Sequence, residues 1–189
     1  KGELVDVKSI ILTDIDLSTT SVNMNHFANV LRNVELASLT HLYLERDQIG
    51  DNGMIAFADA IKPTDEIPMG ALGSLQELYL HHNQIGDEGI KAFSSALSSG
   101  SLASLKILDL DRNQIGDEGM KAFSAALSSG ALASLTNLDL GDNQIGDEGM
   151  KAFSGALSSG ALASLTHLMF NINQIGDAGI TAFAGAIRS

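Results

Sequence analysis

The sequence contains no cysteine, no tryptophan and only two prolines. Without cysteine there is no disulfide, no thiolate metal site and no cysteine nucleophile. Aromatic residues make up 5%, so a core must come from Leu, Ile, Ala and a few Phe. Positive charge is scarce: 11 Lys and Arg stand against 23 Asp and Glu, a net charge of −12. Such a chain repels backbone phosphates, which argues against a nucleic-acid partner. An anionic membrane surface is disfavoured for the same reason, and no apolar run reaches membrane-spanning length. There is no G-x-S-x-G turn and no phosphate-binding G-x-x-x-x-G-K. An enzyme is therefore not expected, and neither is a cofactor. The N-terminal stretch KGELVDVKSI has no signal-peptide apolar region and no initiator Met, and is read as the start of a fragment or processed form.

What is present is repetition. NQIGD begins at residues 83, 113, 143 and 173, a period of 30, and DQIGD begins at 47, which is 36 before the next. Residues 113–136 and 143–166 differ at one position of 24, Ala125 against Gly155. The six residues that follow each stretch, NLDLGD and HLMFNI, differ at five positions. The extra residues between the first two markers fall in KPTDEIPMG, which holds both prolines and reads as a surface loop.

Two periodicities alternate inside each unit. Leu135, Leu138 and Leu140 alternate as in a strand with one apolar face, and Leu39/Leu42/Leu44, Leu75/Leu78/Leu80, Leu105/Leu108/Leu110 and Leu165/Leu168/Phe170 repeat that pattern. A Gly-Asp turn follows, with Asp87, Asp117, Asp147 and Asp177 placed to cap the first amides of a helix. Met120, Phe123 and Leu127 then fall on one helical stripe beside Ala122 and Ala126. Gly100, Gly130 and Gly160 are expected to end the helices in a left-handed conformation. Such a unit cannot bury its apolar face alone, but stacked units can. Strands stack roughly 4.8 Å apart and helices about 8–10 Å apart, so the stack must curve with the sheet inside.

The segment LTNLDLGDNQIGDEGMKAFSGAL resembles a leucine-rich repeat, and its long helical tail is similar to the ribonuclease-inhibitor-like subclass. The resemblance covers about residues 7–187. It implies an α/β solenoid: a horseshoe of about six repeats with a parallel sheet on the concave face and helices on the convex face. The expected division is a degenerate N-terminal capping repeat (1–38) and a repeat carrying an inserted loop at 63–69 (39–74). Three regular repeats (75–104, 105–134 and 135–164) and a C-terminal repeat (165–189) follow. The family asparagine maps onto Asn83, Asn113, Asn143 and Asn173, a structural ladder between turns. Asp47 takes that position one unit earlier and cannot donate when ionised; Ile15 takes it in the first unit. The resemblance further implies an intracellular, cytoplasmic setting and a protein partner on the concave face.

The strand alternation assigns the outward positions. Four columns run across the units, and they hold most of what varies between repeats. They bring Tyr43 beside Tyr79, and Asp109 beside Asp139. Tyr43, Glu45, Tyr79, His81, Asp109, Asp111 and Asp139 are the expected partner-binding residues. Tyrosines supply stiff contact area, and the acids favour a partner with a basic surface. Asp109, Asp111 and Asn113 mimic the start of a calcium loop, but Gln114 and Met120 occupy the places that need glycine and a bidentate glutamate. His81 and His82 are adjacent on a strand and point apart, a poor metal pair. The expectation is a monomeric protein-interaction module, with end-to-end association through the last repeat as a further option. Two other roles fit the same fold: a regulator of a small GTPase, and a structural spacer in a larger repeat protein.

Overall fold

The computed structural model describes residues 7–15, 17, 24–33, 36, 38–66 and 70–188. Strands and helices alternate as the two periodicities predict. They run β1 (Ser9–Ile11), α1 (Met24–Asn33), β2 (His41–Tyr43), α2 (Gly50–Ile61), β3 (Glu77–Tyr79) and α3 (Asp87–Ser98). The second half continues β4 (Ile107–Asp109), α4 (Asp117–Ser128), β5 (Asn137–Asp139), α5 (Asp147–Ser158), β6 (His167–Met169) and α6 (Asp177–Ala186). The six strands form one open parallel sheet in sequence order. The register pairs equivalent residues of successive units: Leu78 faces Leu108, and Leu108 faces Leu138. The sheet lines the concave face because parallel strands pack more closely than the helices behind them.

The core lies between the layers. Leu42, Leu78, Leu108 and Leu138 from the strands are buried with Phe57, Phe93, Phe123 and Phe153 from the helices. Ala96, Ala126 and Ala156 are also buried, which lets neighbouring helices approach closely. Gly100, Gly130 and Gly160 end their helices with φ of 97°, 94° and 87°, a conformation that suits glycine. Of the inserted loop, Ile67, Pro68 and Met69 lie outside the described residues, as do parts of the first repeat.

The helix starts correct the sequence expectation. Asp87, Asp117, Asp147 and Asp177 do not cap their own helices: each is the first helical residue, after an extended glycine that makes no side-chain cap. The first three carboxylates cap the next helix instead. Asp87 Oδ1 accepts from the amides of Gly116 and Gly119 at 2.7 and 2.9 Å. Asp117 does the same for Gly146 and Gly149 at 2.7 and 2.8 Å. Asp147 serves Gly176 and Gly179, both at 2.8 Å. Asp51 begins this ladder on Gly86 and Gly89. The glycines are needed for space: a Cβ on Gly119 would sit 2.7 Å from Asp87 Oδ1. A carboxylate at a helix N-terminus also meets the positive end of the helix dipole. Asp117→Ala is expected to cost about 2 kcal/mol, since two charge-assisted bonds to partly buried amides are lost. Asp177→Ala removes no such pair and should be close to neutral. Urea denaturation of both variants checks this, and equal losses would contradict the inter-repeat capping.

Candidate functional site

The concave surface is built by alternation. In β2 to β5 the middle leucine is buried, and the flanking residues on either side are half-buried and face outward. The register then assembles the columns, with Tyr43 beside Tyr79, Tyr79 beside Asp109 and Asp109 beside Asp139.

The two tyrosine rings are stacked, with centroids 4.9 Å apart and planes inclined by 3°. The Tyr79 hydroxyl donates to Glu77 Oε2 at 3.2 Å. Burial, then the Glu77 carboxylate, pushes the Tyr79 hydroxyl up to about 12, so it stays protonated. The pair presents a flat aromatic plate.

Beside it lies a charged group. His81 Nδ1 sits 3.0 Å from Asp109 Oδ2, and that bond is the main reason the imidazole holds its proton to higher pH than usual. Asp109 Oδ1 also accepts from the amide of Asp111 at 3.0 Å, and Asp139 Oδ1 accepts from that of Gly141 at 2.9 Å. Burial raises Asp111, with Asp109 adding to it. Asp139 is raised as well, first by burial, then by Asp109 and Asp111. Carboxylates on adjacent strands thus destabilise one another, and a cation-bearing partner would relieve that cost.

Of the seven sequence-predicted residues, the tyrosines form one unit and His81, Asp109, Asp111 and Asp139 form another. Glu45 turns the other way, accepting from Thr13 Oγ1 at 2.7 Å, which ties it to the first repeat. Three further residues belong to this region and were not among the seven. Glu77 holds Tyr79 and lies 3.4 Å from His41 Nε2. Arg112 Nε lies 3.4 Å from Asp142 and 3.7 Å from Asp111, so it partly neutralises that edge. Gly141 is buried where three oxygens approach closely: a Cβ there would meet Asp111 Oδ1 at 2.7 Å, Asp139 Oδ1 at 3.1 Å and Asn171 Oδ1 at 3.2 Å. Glu77 and Arg112 follow from the same strand alternation, and a lone glycine in a column of larger side chains was the signal for the close approach at Gly141. Among the described residues no three His, Asp or Glu side chains converge as a metal-ligand set.

The asparagines lie beneath the turns. Asn113 Oδ1 accepts from the amides of Asn83 and Ile85 at 3.1 and 3.0 Å. Its Nδ2 donates to the carbonyls of Leu80 and Leu110 at 3.0 and 3.1 Å. Asn83, Asn143 and Asn173 bridge their own turns to the preceding ones in the same way. These bonds fix the height at which each outward side chain leaves the sheet. The residue after each outward triplet is held in the left-handed region: Asp14, Arg46, His82, Arg112, Asp142 and Ile172, with φ of 46° to 63°.

No described helix is long and apolar enough to cross a membrane. The profile of the leucine-rich repeat family matches residues 35–58, 74–94, 101–124, 131–154 and 161–184. No curated protein matches the sequence. Among solved structures, the chain is similar to leiomodin-1 actin-binding site 2, at 15% identity over 85% of each chain with a TM-score of 0.59. An internalin from Listeria monocytogenes shares 21% identity over 82% of this chain and 54% of its own, with a TM-score of 0.31. A Toll-like receptor 13 complex with single-stranded RNA shares 16% over 93% and 31%, with a TM-score of 0.29. Repeats of this kind typically serve protein–protein interaction. With five matched segments on a sheet-and-helix solenoid, the chain belongs to the leucine-rich repeat family.

Proposed function

We propose that the chain is a protein-interaction module whose concave sheet takes a partner with a basic surface. The observation that carries this reading is the placement of a stacked tyrosine plate directly beside a carboxylate cluster that His81 and Arg112 offset only in part. Tyr43 and Tyr79 offer a cation–π platform and rigid contact area. Asp109 adds its charge to Asp111 and Asp139, whose charged forms burial and the neighbouring carboxylates disfavour. Helices of 12 residues in the regular units support assignment to the ribonuclease-inhibitor-like subclass, and with it a cytoplasmic setting. Actin binding is stated for leiomodin-1, and at this level of identity the likeness concerns the fold.

Affinity selection from a randomised peptide display library tests the reading. The wild-type chain is expected to enrich Arg- and Lys-bearing sequences, and the selected peptides should bind more weakly as salt rises. A variant carrying Tyr43→Ala, Tyr79→Ala, Asp109→Ala and Asp139→Ala should lose at least about tenfold in affinity while keeping its circular dichroism spectrum. Selected peptides that bind the variant as tightly as the wild type would end the proposal.

A further inference from the structure

Both carboxylate oxygens of Asp109, in the middle of the concave face, are engaged from within the chain. Oδ1 accepts from the amide of Asp111 at 3.0 Å, and Oδ2 lies 3.0 Å from His81 Nδ1. The first partner is backbone and stays in place. The second is a side chain that can turn away. The His81 and Asp109 side chains are 28% and 20% exposed, so solvent and a partner reach both. The units before and after hold Glu45 and Asp111 where His81 stands, so the fold does not require an imidazole there.

Acids frame the imidazole from three neighbouring units. Glu45 acts from beyond the end of β2, Asp109 and Asp111 from the end of β4 and the turn after it, and Asp139 from β5. On the strand of His81 itself, Glu77 is taken up by the Tyr79 hydroxyl and His41. Arg112 faces Asp111 and Asp142 at 3.7 and 3.4 Å, and Arg46 and His82 stand one position beyond the column of His81. The bond to Asp109 is the first reason that the imidazole keeps its proton above the ordinary value of 6.5, against the effect of burial. Protonated His81 is thus the resident counter-ion of Asp109.

We infer that His81 is a displaceable counter-ion: a basic group of the partner takes its place on Asp109, and the imidazole gives its proton to solvent. The inference rests on the reading of the concave face as a site for a basic partner, and it makes that site sensitive to pH. His81 then opposes the partner instead of anchoring it. Linkage fixes the direction. The free site holds the proton and the occupied site does not, so affinity is weaker below the pH at which free His81 titrates and rises as pH passes through it. Asp111 and Asp139 also titrate, from an ordinary value of 3.8 that is raised here, and protonating them weakens binding in acid. That part of the response remains in His81→Gln, which separates it from the histidine's.

An oligo-arginine peptide titrated into the whole chain tests this, with the His81 ring protons and the Tyr43 and Tyr79 amides followed by NMR across pH. Without peptide, Asp109→Asn should lower the His81 titration; no change would overturn the proposal. In the wild type, saturation with peptide should lower the His81 titration by about one pH unit, which corresponds to a tenfold change in affinity. At about pH 6, His81→Gln should bind the peptide about tenfold more tightly than the wild type, and the advantage should shrink towards about pH 8.5. A His81→Gln affinity equal to or below that of the wild type at the lower pH would overturn the inference. Shifts at Tyr43 and Tyr79 with an unmoved or raised His81 titration would overturn it too, and would leave the basic-partner site standing. No shift at either tyrosine would overturn both.

Discussion

Asn113→Ala is expected to lower the free energy of unfolding by about 3–5 kcal/mol, the largest loss from any single polar substitution in the sheet. The side chain is 7% exposed and works at both ends. Its carbonyl receives the amides of Asn83 and Ile85, and its amide reaches the carbonyls of Leu80, Leu110 and Asp111. Truncation leaves the amides of Asn83 and Ile85 buried without partners, at about 1–3 kcal/mol each before water or relaxation offsets part of it, whereas the carbonyls of Leu80, Leu110 and Asp111 keep bonds from Asn83 Nδ2, Asn143 Nδ2 and the His82 amide. The loss falls at the junction of two central units. In a stack held by nearest-neighbour interfaces, weakening one junction divides the array. The urea transition should therefore broaden as well as shift. Asn173→Ala is the control: Asn173 is only partly buried and at the edge of the sheet, so its loss should be smaller. A shift for Asn113→Ala below about 1 kcal/mol would mean that the turns hold without the ladder.

The ladder was legible in the sequence because one residue type recurred at one period beside alternating leucines. The outward columns were legible for the same reason. A period of two fixes which face a side chain takes, and identical units fix the register, so Tyr43 and Tyr79 had to be neighbours. The direction of helix capping was not legible. Adjacency suggested that Asp117 serves its own helix, whereas its carboxylate reaches glycine amides 29 and 32 residues ahead. The signal was the second glycine of G-D-x-G, which leaves room for a carboxylate from the neighbouring unit. The left-handed residues at the ends of the outward triplets were hidden as well. Asp14, His82 and Asp142 are types that enter that region more readily than most, but Arg46, Arg112 and Ile172 are not, so propensity alone did not mark the position and the turn imposes the conformation from outside. Within the site, the sequence placed Glu45 with the other acids. Its outward turn to Thr13 depends on rotamer and neighbour, which periodicity does not encode.

Asp47→Asn should stabilise the chain at pH 7 by about 2–3 kcal/mol, and the gain should fade in acid. Asp47 occupies the ladder position at the junction of the first two strands and is fully buried. Oδ1 accepts from the amide of Ile15 at 2.7 Å, while Oδ2 is buried with no hydrogen-bond partner. In the next two units the matching atom is the asparagine Nδ2, which donates to the carbonyls three residues back in its own unit and in the one before. The register puts Leu44 and Leu12 in those places for Asp47. A carboxylate offers them no proton. Burial, with Glu45 and Asp14 adding to it, raises the Asp47 carboxyl to about 6 even though the Ile15 amide opposes the change. Its folded value therefore lies above the ordinary 3.8, and the folded chain binds more protons than the unfolded chain between about pH 4 and pH 6. Stability from this group is then fully present below about pH 4, is lost as pH rises through 6, and stays lost at pH 7. Asparagine restores the donor at every pH, so the difference between variant and wild type should be large at neutral pH and small near pH 4. Because the defect sits between the first two units, it should also appear as fraying of the first one. Hydrogen exchange at the Leu12 amide, which donates to the carbonyl of Tyr43, is the direct readout. Exchange at neutral pH should slow in Asp47→Asn and approach the wild-type rate near pH 4. A pH-independent difference would show that the orphaned oxygen, and not its ionisation, sets the cost; no difference at all would mean that Asp47 finds its proton or its partner elsewhere.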